Sequence, residues 1–121
     1  MKYWKVPNTK EEKKKIIKSK LIEAEIIIEK IRNYYKLTEK ELMGRCKLKI
    51  YVKARFIAMY IIRASTNFTM VEIGEMFNRD HTTVVYAIQV VNDVLSLHYE
   101  TDFSEDIKEI KKIFELSTIL S

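Results

Sequence analysis

Apolar residues recur at steps of three and four along most of this chain, which is the period of an α-helix. Only two glycines and one proline occur in 121 residues, so few positions oppose helix formation. Nearly half of the residues are apolar, which is enough for one domain with a buried core. We therefore predict an all-α fold of about six helices.

Two of these patterns follow each other across a tight turn between residues 69 and 95. The first is a short helix that opens with a capping box, Thr69 with Glu72. Gly74 within it would let another helix approach closely, and Asn78 tolerates the positive φ that such a turn can need. The predicted buried residues are Ile73, Met76 and Phe77 in the first helix, and Val84, Ala87, Ile88, Val91 and Leu95 in the second. Together the two patterns predict a helix-turn-helix.

The second helix begins with polar side chains that its apolar face does not use. Asp80 is a good N-cap residue, because its carboxylate can accept from the backbone N–H of Thr82 or Thr83. Arg79, His81 and Thr82 are predicted to point away from the buried face. A polar helix start on an apolar body suits insertion into a DNA major groove. The plainer interpretations, a structural N-cap at Asp80 and a solvated surface histidine, stay open beside this one.

The same residues carry a resemblance to the C-terminal DNA-binding domain of the bacterial replication initiator DnaA. The matching positions are Asn67-Phe68-Thr69-Met70-Val71-Glu72-Ile73-Gly74, then Phe77, then Arg79-Asp80-His81-Thr82-Thr83-Val84. The likeness extends more weakly from about Ala24 to about Phe114. It implies a helix-turn-helix bundle of the Trp-repressor type over residues 24–121. Residues 1–23 would then be a basic lead-in and the start of a long helix.

The resemblance also implies which residues read bases. Asp80, His81 and Thr82 match the family's major-groove contacts, and Lys47 falls where the family inserts an arginine into the minor groove. The chemistry agrees, because Asp accepts from cytosine N4, His donates to base acceptors, and the Thr methyl packs against the thymine methyl. Two further departures from the family are Val71 in place of the common proline, and Asn78 alone where two glycines are usual.

A basic run after Gly44 is expected to contact the DNA backbone. Residues 45–55 hold five basic side chains and no acidic one, which suits phosphate contacts that add salt-sensitive affinity. We interpret this run as a basic loop and place the next, buried helix at residues 54–66. Arg63 in that helix would meet a phosphate or stabilise the helix end electrostatically. The full set of predicted backbone contacts is Arg45, Lys49, Lys53, Arg55, Arg63, Met70, Val71, Arg79 and Thr83.

Charge is distributed unevenly along the chain. Residues 1–55 hold 17 Lys and Arg against 7 Asp and Glu, whereas residues 56–121 hold 5 against 10. A basic half beside an acidic half can steer a polyanion to one face. The last helix has acidic surface positions and an apolar face of Phe103, Ile107, Ile110 and Ile113 or Phe114. We expect it to lie away from the duplex.

The N-terminal helix supports an alternative hypothesis. Thr9 with Glu12 is a capping box that opens it, and Thr38 with Glu41 opens the short helix that Gly44 ends. The N-terminal helix has a stripe of apolar residues along one side, which we call its apolar seam: Ile17, Leu21, Ala24, Ile28, Ile31 and Tyr35. Such a seam allows homodimerisation, although packing on its own domain is the simpler account. The alternative function is a protein- or membrane-interaction module acting through this Lys-rich helix, with only nonspecific DNA affinity.

The chain lacks the sequence patterns of an enzyme. It has no glycine-rich phosphate loop, no metal-ligand spacing and no ATPase module such as the initiator carries. We expect no catalytic residue, no metal and no cofactor. Its one cysteine, Cys46, allows no internal disulfide, and no run is long and apolar enough for a membrane span or signal peptide. The expected partner is double-stranded DNA, no membrane is expected to bind, and the expected location is the cytoplasm.

Overall fold

A computed structural model of the chain describes residues 10–96 and 101–120, with side chains over residues 21–96 and 101–114. Within these ranges it contains six α-helices and no strand, so the predicted all-α fold is confirmed. The helices are α1 Lys10–Tyr35, α2 Glu39–Met43, α3 Lys49–Ser65, α4 Met70–Met76, α5 His81–Ser96 and α6 Asp102–Leu120. No helix in the described ranges combines the length and the apolarity needed to cross a membrane.

α3 is the central helix of the bundle and packs against α1, α2, α4 and α5. Its buried residues cover several sides of the helix, as expected for a helix surrounded by others. They are Ala54, Arg55, Ile57, Ala58, Met59, Ile61 and Ile62. The neighbouring helices contribute Ile31, Leu42, Ile73 and Val84 to the same core, each fully buried. The position of α3 therefore sets the positions of these four helices.

α1 enters the core through Ala24, Ile27 and Ile31, which are at most 5 % exposed. The predicted seam was right at Ala24 and Ile31 but wrong at Leu21, which is 42 % exposed. Ile27 takes a core position that the seam omitted, because periodicity identifies an apolar face but not which edge of it meets a neighbour. Ile17 lies outside the described side chains. Homodimerisation through α1 stays a prediction.

Side-chain caps start α2 and α4, as predicted. At α2, Thr38 Oγ1 accepts from the backbone N–H of Glu41 at 3.1 Å, and Glu41 Oε1 accepts from the backbone N–H of Thr38 at 2.8 Å. Thr69 and Glu72 form the same reciprocal pair at α4. Each cap contributes about 1 kcal/mol to helix stability. The capping box predicted at Thr9 lies outside the described residues.

The start of α3 differs from the prediction. The helix was expected at residue 54, after a basic loop, but it begins at Lys49. Lysine and arginine are good helix formers, and α3 contains no glycine or proline, so positive charge alone did not indicate a loop. α2 ends at Met43 with Gly44 as its C-cap, as predicted. The connection is therefore only residues 44–48, which we call the basic loop from here on.

The inner face of α5 is confirmed. Val84, Ala87 and Val91 are fully buried, and Ile88 and Leu95 are half-buried against the same core. This face holds α5 against α3 and α4. The predicted end of this helix, near Tyr99, lies outside the described residues.

α6 packs through Ile107 and Ile110, each 1 % exposed. Phe103 and Phe114 add half-buried rings to this face, whereas Ile113 is 37 % exposed. The open choice between the last two positions is thus settled in favour of Phe114, since a ring at this position reaches the core.

Polar contacts attach α6 to α1 and α3. The Tyr35 hydroxyl donates to Asp106 Oδ2 at 2.8 Å, and the Tyr34 hydroxyl donates to Glu109 Oε2 at 2.9 Å. Lys53 Nζ lies 4.0 Å from Asp106 Oδ2. Burial, and then the neighbouring carboxylates, raise the pKa of both tyrosines well above its ordinary value. Both hydroxyls therefore remain neutral hydrogen-bond donors.

We predict that Tyr35→Phe lowers the free energy of unfolding by about 1.5 kcal/mol, because it removes a hydrogen bond to an ionised carboxylate. Urea unfolding measures this difference. Tyr86→Phe makes the same chemical change at a side chain that is 60 % exposed and should shift stability by less than about 0.5 kcal/mol. Equal losses in the two variants would show that the Asp106 contact adds no stability.

Candidate nucleic-acid interface

The turn between α4 and α5 is closed by a backbone contact at Gly74. The Arg79 N–H donates to the Gly74 carbonyl at 2.7 Å, and a Cβ on Gly74 would lie 2.6 Å from the Arg79 carbonyl oxygen. The predicted close approach is therefore made by the residues that lead into α5. Asn78 has a φ of 53°, so the expected positive φ is also observed. These two positions set the angle at which α5 leaves the turn.

The first turn of α5 presents polar side chains to solvent. The Asp80 carboxylate accepts from the backbone N–H of Thr82 at 3.1 Å, as predicted for an N-cap, and also from the Thr82 hydroxyl. These hydrogen bonds, the one from the Thr82 side chain first, lower the pKa of Asp80. Asp80, His81 and Thr82 are all exposed, and Thr83 is half-buried. All three predicted base-reading residues of this helix are thus accessible.

The basic loop carries two predicted DNA contacts on its surface. Arg45 and Lys47 are both exposed, and Lys49 follows, exposed, at the start of α3. Cys46 between them is exposed with a free thiol. The run of charge therefore faces solvent at the end of α3 nearest the loop.

Arg55 does not fit its predicted role as a phosphate contact. Its side chain is buried, and its guanidinium donates to three backbone carbonyls: Leu42 at 2.6 Å, Cys46 at 2.8 Å and Glu41 at 3.1 Å. Burial, and then the nearby Arg79, lower the pKa of Arg55. The sequence interpretation failed because a basic run was taken as one exposed loop, whereas the helix turns this position inward. Arg55 holds the end of α2 and the basic loop against α3.

Arg79, predicted to contact a phosphate, uses its guanidinium inside the protein as well. One Nη donates to the Phe77 carbonyl at 2.9 Å and the other to the Gly44 carbonyl at 2.5 Å. The side chain is half-buried, and burial, followed by the charge of Arg45, lowers its pKa. Arg79 thus connects the helix-turn-helix with the basic loop, 35 residues earlier in the chain.

The basic loop and the start of α5 line one cavity of about 340 Å³. Arg45, Lys47, Arg79 and Thr83 line it from the loop and the start of α5, and α3 contributes Arg55 together with the apolar part of the lining. The structure therefore brings together predicted minor-groove and major-groove elements that are far apart in sequence. No carboxylate in the described part of the chain forms an ion pair with Arg79.

The other predicted backbone contacts lie at different places. Lys53 is half-buried beside Asp106, in a groove between α3, α5 and α6. Arg63 is exposed near the end of α3 and donates to the Phe68 carbonyl at 2.7 Å, so it joins α3 to the chain leading into α4. At the start of α4, Met70 is half-buried and Val71 is 53 % exposed.

Two exposed residues of α5 were missed by the sequence interpretation. Val85 is 43 % exposed and Tyr86 is 60 % exposed, and the Tyr86 ring meets Phe56 edge-on at 5.9 Å. They lie one helical turn after His81 and Thr82, so they continue the same outward surface. The four-residue spacing from His81 and Thr82 was present in the sequence, but Val85 and Tyr86 were assigned to neither the buried face nor the interface.

These residues provide positive charge, hydrogen-bond donors and one carboxylate acceptor on an exposed surface. Among the described residues, no three His, Cys, Asp or Glu side chains are grouped so that they could hold a metal ion. The arrangement suits recognition of a polyanion with exposed base edges.

Comparison with known proteins gives a family match. The family described as bacterial dnaA protein helix-turn-helix matches residues 24–91, more than half of the chain. The chain is 45 % identical over 71 residues to the chromosomal replication initiator protein DnaA of Corynebacterium jeikeium, which covers 58 % of the chain. It is 44 % identical over 69 residues, 56 % of the chain, to the protein of that name from Thermus thermophilus.

The matches cover a small part of these relatives. The aligned region is 12 % of the Corynebacterium protein and 16 % of the Thermus protein. A third relative, DnaA 1 of Chlamydia trachomatis, is 33 % identical over 71 % of the chain and 19 % of its own length. The chain thus spans less than a fifth of the length of each of these relatives.

We predict that Gly74→Ala lowers the free energy of unfolding by about 1–3 kcal/mol, because the new Cβ would overlap the Arg79 carbonyl. This loss should exceed the helix-propensity gain of up to about 1 kcal/mol from replacing glycine. Glu75→Ala, at an exposed position of the same helix, is the matched control. A Gly74→Ala protein as stable as wild type in urea would mean that α5 can move away from α4 at no cost.

Arg55→Ala should destabilise the free protein by about 2–4 kcal/mol, since it leaves buried carbonyls without their donors. Lys49→Ala removes an exposed charge two turns earlier on the same helix and should change stability by less than about 0.5 kcal/mol. Urea unfolding without DNA distinguishes the two. If both variants were equally stable, Arg55 would not be the internal tie that its hydrogen bonds indicate.

Proposed function

Because the chain belongs to the bacterial DnaA helix-turn-helix family, we propose that it binds double-stranded DNA in a sequence-specific manner. α5 acts as the recognition helix, and the DNA sites resemble the initiator boxes of replication origins. The process served is the initiation of DNA replication or its regulation. The names of the relatives support this assignment, although they belong to much longer proteins.

The observation that carries the proposal is the structure of the first turn of α5. Its polar side chains are exposed, while Val84 directly after them is fully buried. A rigid helix whose N-terminal residues stand clear of the core can place them against base edges in the major groove. The turn at Gly74 fixes the direction of these side chains before DNA arrives.

Each exposed side chain of that turn has a defined task in the proposal. Asp80 accepts from a cytosine amino group, His81 donates to a base acceptor, and the Thr82 methyl packs against a thymine methyl. The same Asp80 carboxylate caps α5, so its charge is partly satisfied by donors within the protein. Val85, one turn further on, extends the apolar contact surface within the groove.

Lysine and arginine around this helix supply the binding free energy that does not depend on sequence. Arg45, Lys49 and the start of α5 at Thr83 contact phosphates, and Lys47 enters the minor groove. Lysine is compact and lacks the planar guanidinium, so this contact depends on a narrow, electronegative A·T-rich groove. Domain residues 24–121 carry this activity, and the proposed role is binding rather than catalysis.

Thr82→Ser tests base reading most directly. It removes the methyl group and keeps the hydroxyl that donates to Asp80, so the cap is preserved. We predict that wild type prefers a duplex bearing an initiator box over a scrambled duplex by more than about tenfold, and that Thr82→Ser loses a factor of about 5 or more for the box alone. Fluorescence anisotropy at several salt concentrations measures both affinities.

Two control variants separate specific from nonspecific binding. Lys49→Ala should weaken binding to both duplexes equally and reduce the slope of log affinity against log salt by about one. Lys108→Ala, on the exposed surface of α6, should leave the affinity for both duplexes unchanged. Equal wild-type affinity for both duplexes would contradict sequence-specific recognition, and no binding at low salt would contradict DNA binding altogether.

A further inference from the structure

We propose that Arg79 is a positioning residue that couples the basic loop to the recognition helix, so that contacts in the two grooves of DNA form together. This inference rests on the proposed function. Arg79 then acts as a structural residue and not as the phosphate contact that the sequence predicted. The minor-groove contact of Lys47 depends on the loop geometry that Arg79 holds.

The first support is the pair of hydrogen bonds made by one guanidinium. Arg79 donates to the Phe77 carbonyl, within the helix-turn-helix, and to the Gly44 carbonyl, at the start of the basic loop. A planar guanidinium has its donors in a fixed fork, so the two carbonyls are held at a set distance and angle. The turn and the loop therefore move as one unit while both bonds are intact.

The loop is held a second time by an arginine of α3. Arg55, from α3, donates to the Cys46 carbonyl, two residues after the carbonyl that Arg79 holds. Lys47 follows directly, so the residue predicted to enter the minor groove continues from a loop backbone that is held at the Gly44 and Cys46 carbonyls. Arg55 ties the loop to the core, whereas among the hydrogen bonds of the described residues the one from Arg79 ties it to the helix-turn-helix.

The charges explain why this coupling would respond to DNA. Three arginines lie close together at this site. Burial, and then the charge of Arg79, lower the pKa of Arg55, whereas burial, and then the charge of Arg45, lower the pKa of Arg79. The cavity between loop and helix is lined by Arg45, Lys47 and Arg79. An approaching phosphate offsets this mutual repulsion, which favours the tied arrangement most strongly on the duplex.

Arg79→Lys separates a positioning role from a phosphate contact. Lysine keeps the positive charge but has a single nitrogen, which cannot reproduce the fork to two carbonyls. A phosphate contact would largely survive this change, whereas the coupling would not. Arg32→Lys is the matched control, because Arg32 also donates to a carbonyl, that of Leu37, but lies at the end of α1 outside the interface.

Minor-groove discrimination is the readout that simple destabilisation would not change. In a duplex that bears an initiator box, single A·T pairs are replaced either by an inosine–cytosine (I·C) pair or by a G·C pair. These two pairs differ only by the guanine amino group, which lies in the minor groove. Wild type and Arg32→Lys should prefer the I·C duplex at one such position by about fivefold or more. Arg79→Lys should reduce this preference to about twofold or less while still distinguishing the box from a scrambled duplex.

A second measurement needs no DNA. The NMR order parameter of the Arg45 backbone amide, which shares a peptide unit with the Gly44 carbonyl, should be about 0.85 in wild type and below about 0.6 in Arg79→Lys, with α5 unchanged. If the variant fails to fold, the wild-type protein still provides a test. A wild-type order parameter below about 0.6 would show that the loop is not held, and it would overturn the coupling.

The outcomes separate this inference from the proposed function. Wild-type discrimination and loop order retained in Arg79→Lys would overturn the coupling while leaving DNA binding intact. If wild type does not bind the duplex, the proposed function fails and the groove coupling fails with it. The order parameters then still decide whether Arg79 fixes the loop.

Discussion

The packing of α3 in the centre of the bundle is the constraint on which the rest of the structure depends. Its apolar side chains cover several sides, so α1, α4 and α5 are each placed by contact with the same helix. Burial of α5 through Val84, Ala87 and Val91 leaves only its outer surface and first turn free. The exposed polar turn is thus a consequence of a well-packed apolar face, since the same helix cannot bury both.

Backbone carbonyls, rather than carboxylates, are the internal partners of two arginines beside this surface. Arg55 and Arg79 together make five hydrogen bonds to carbonyls of the α2 end, the basic loop and the turn. Because carbonyls carry no net charge, these contacts fix geometry without cancelling the positive charge of the cluster. The surface keeps the field that attracts a polyanion, and it gains rigidity from the same side chains.

The first turn of α5 is stabilised by a carboxylate that stays exposed to solvent. The Asp80 carboxylate caps the helix through Thr82, and its pKa is lowered by those bonds. Donors from Thr82 hold this carboxylate in place although it faces solvent. In the proposed function the same carboxylate also accepts from a base, so the helix cap and the base contact would share its oxygen atoms.

The sequence by itself determined the all-α class, the helix-turn-helix and the exposed positions of Asp80, His81 and Thr82, because periodicity, capping boxes and the positive φ at Asn78 depend on local interactions. It did not determine where charge is exposed. Arg55 and Arg79 were expected at phosphates, and Lys49 was expected in a loop. The start of α3 at Lys49 agrees with local helix propensity and was misinterpreted, whereas only the tertiary structure decided that Arg55 turns inward and that Arg79 reaches Gly44. These outcomes depend on which carbonyls lie nearby after the chain has folded, and a local pattern of charge holds no record of contacts across 35 residues.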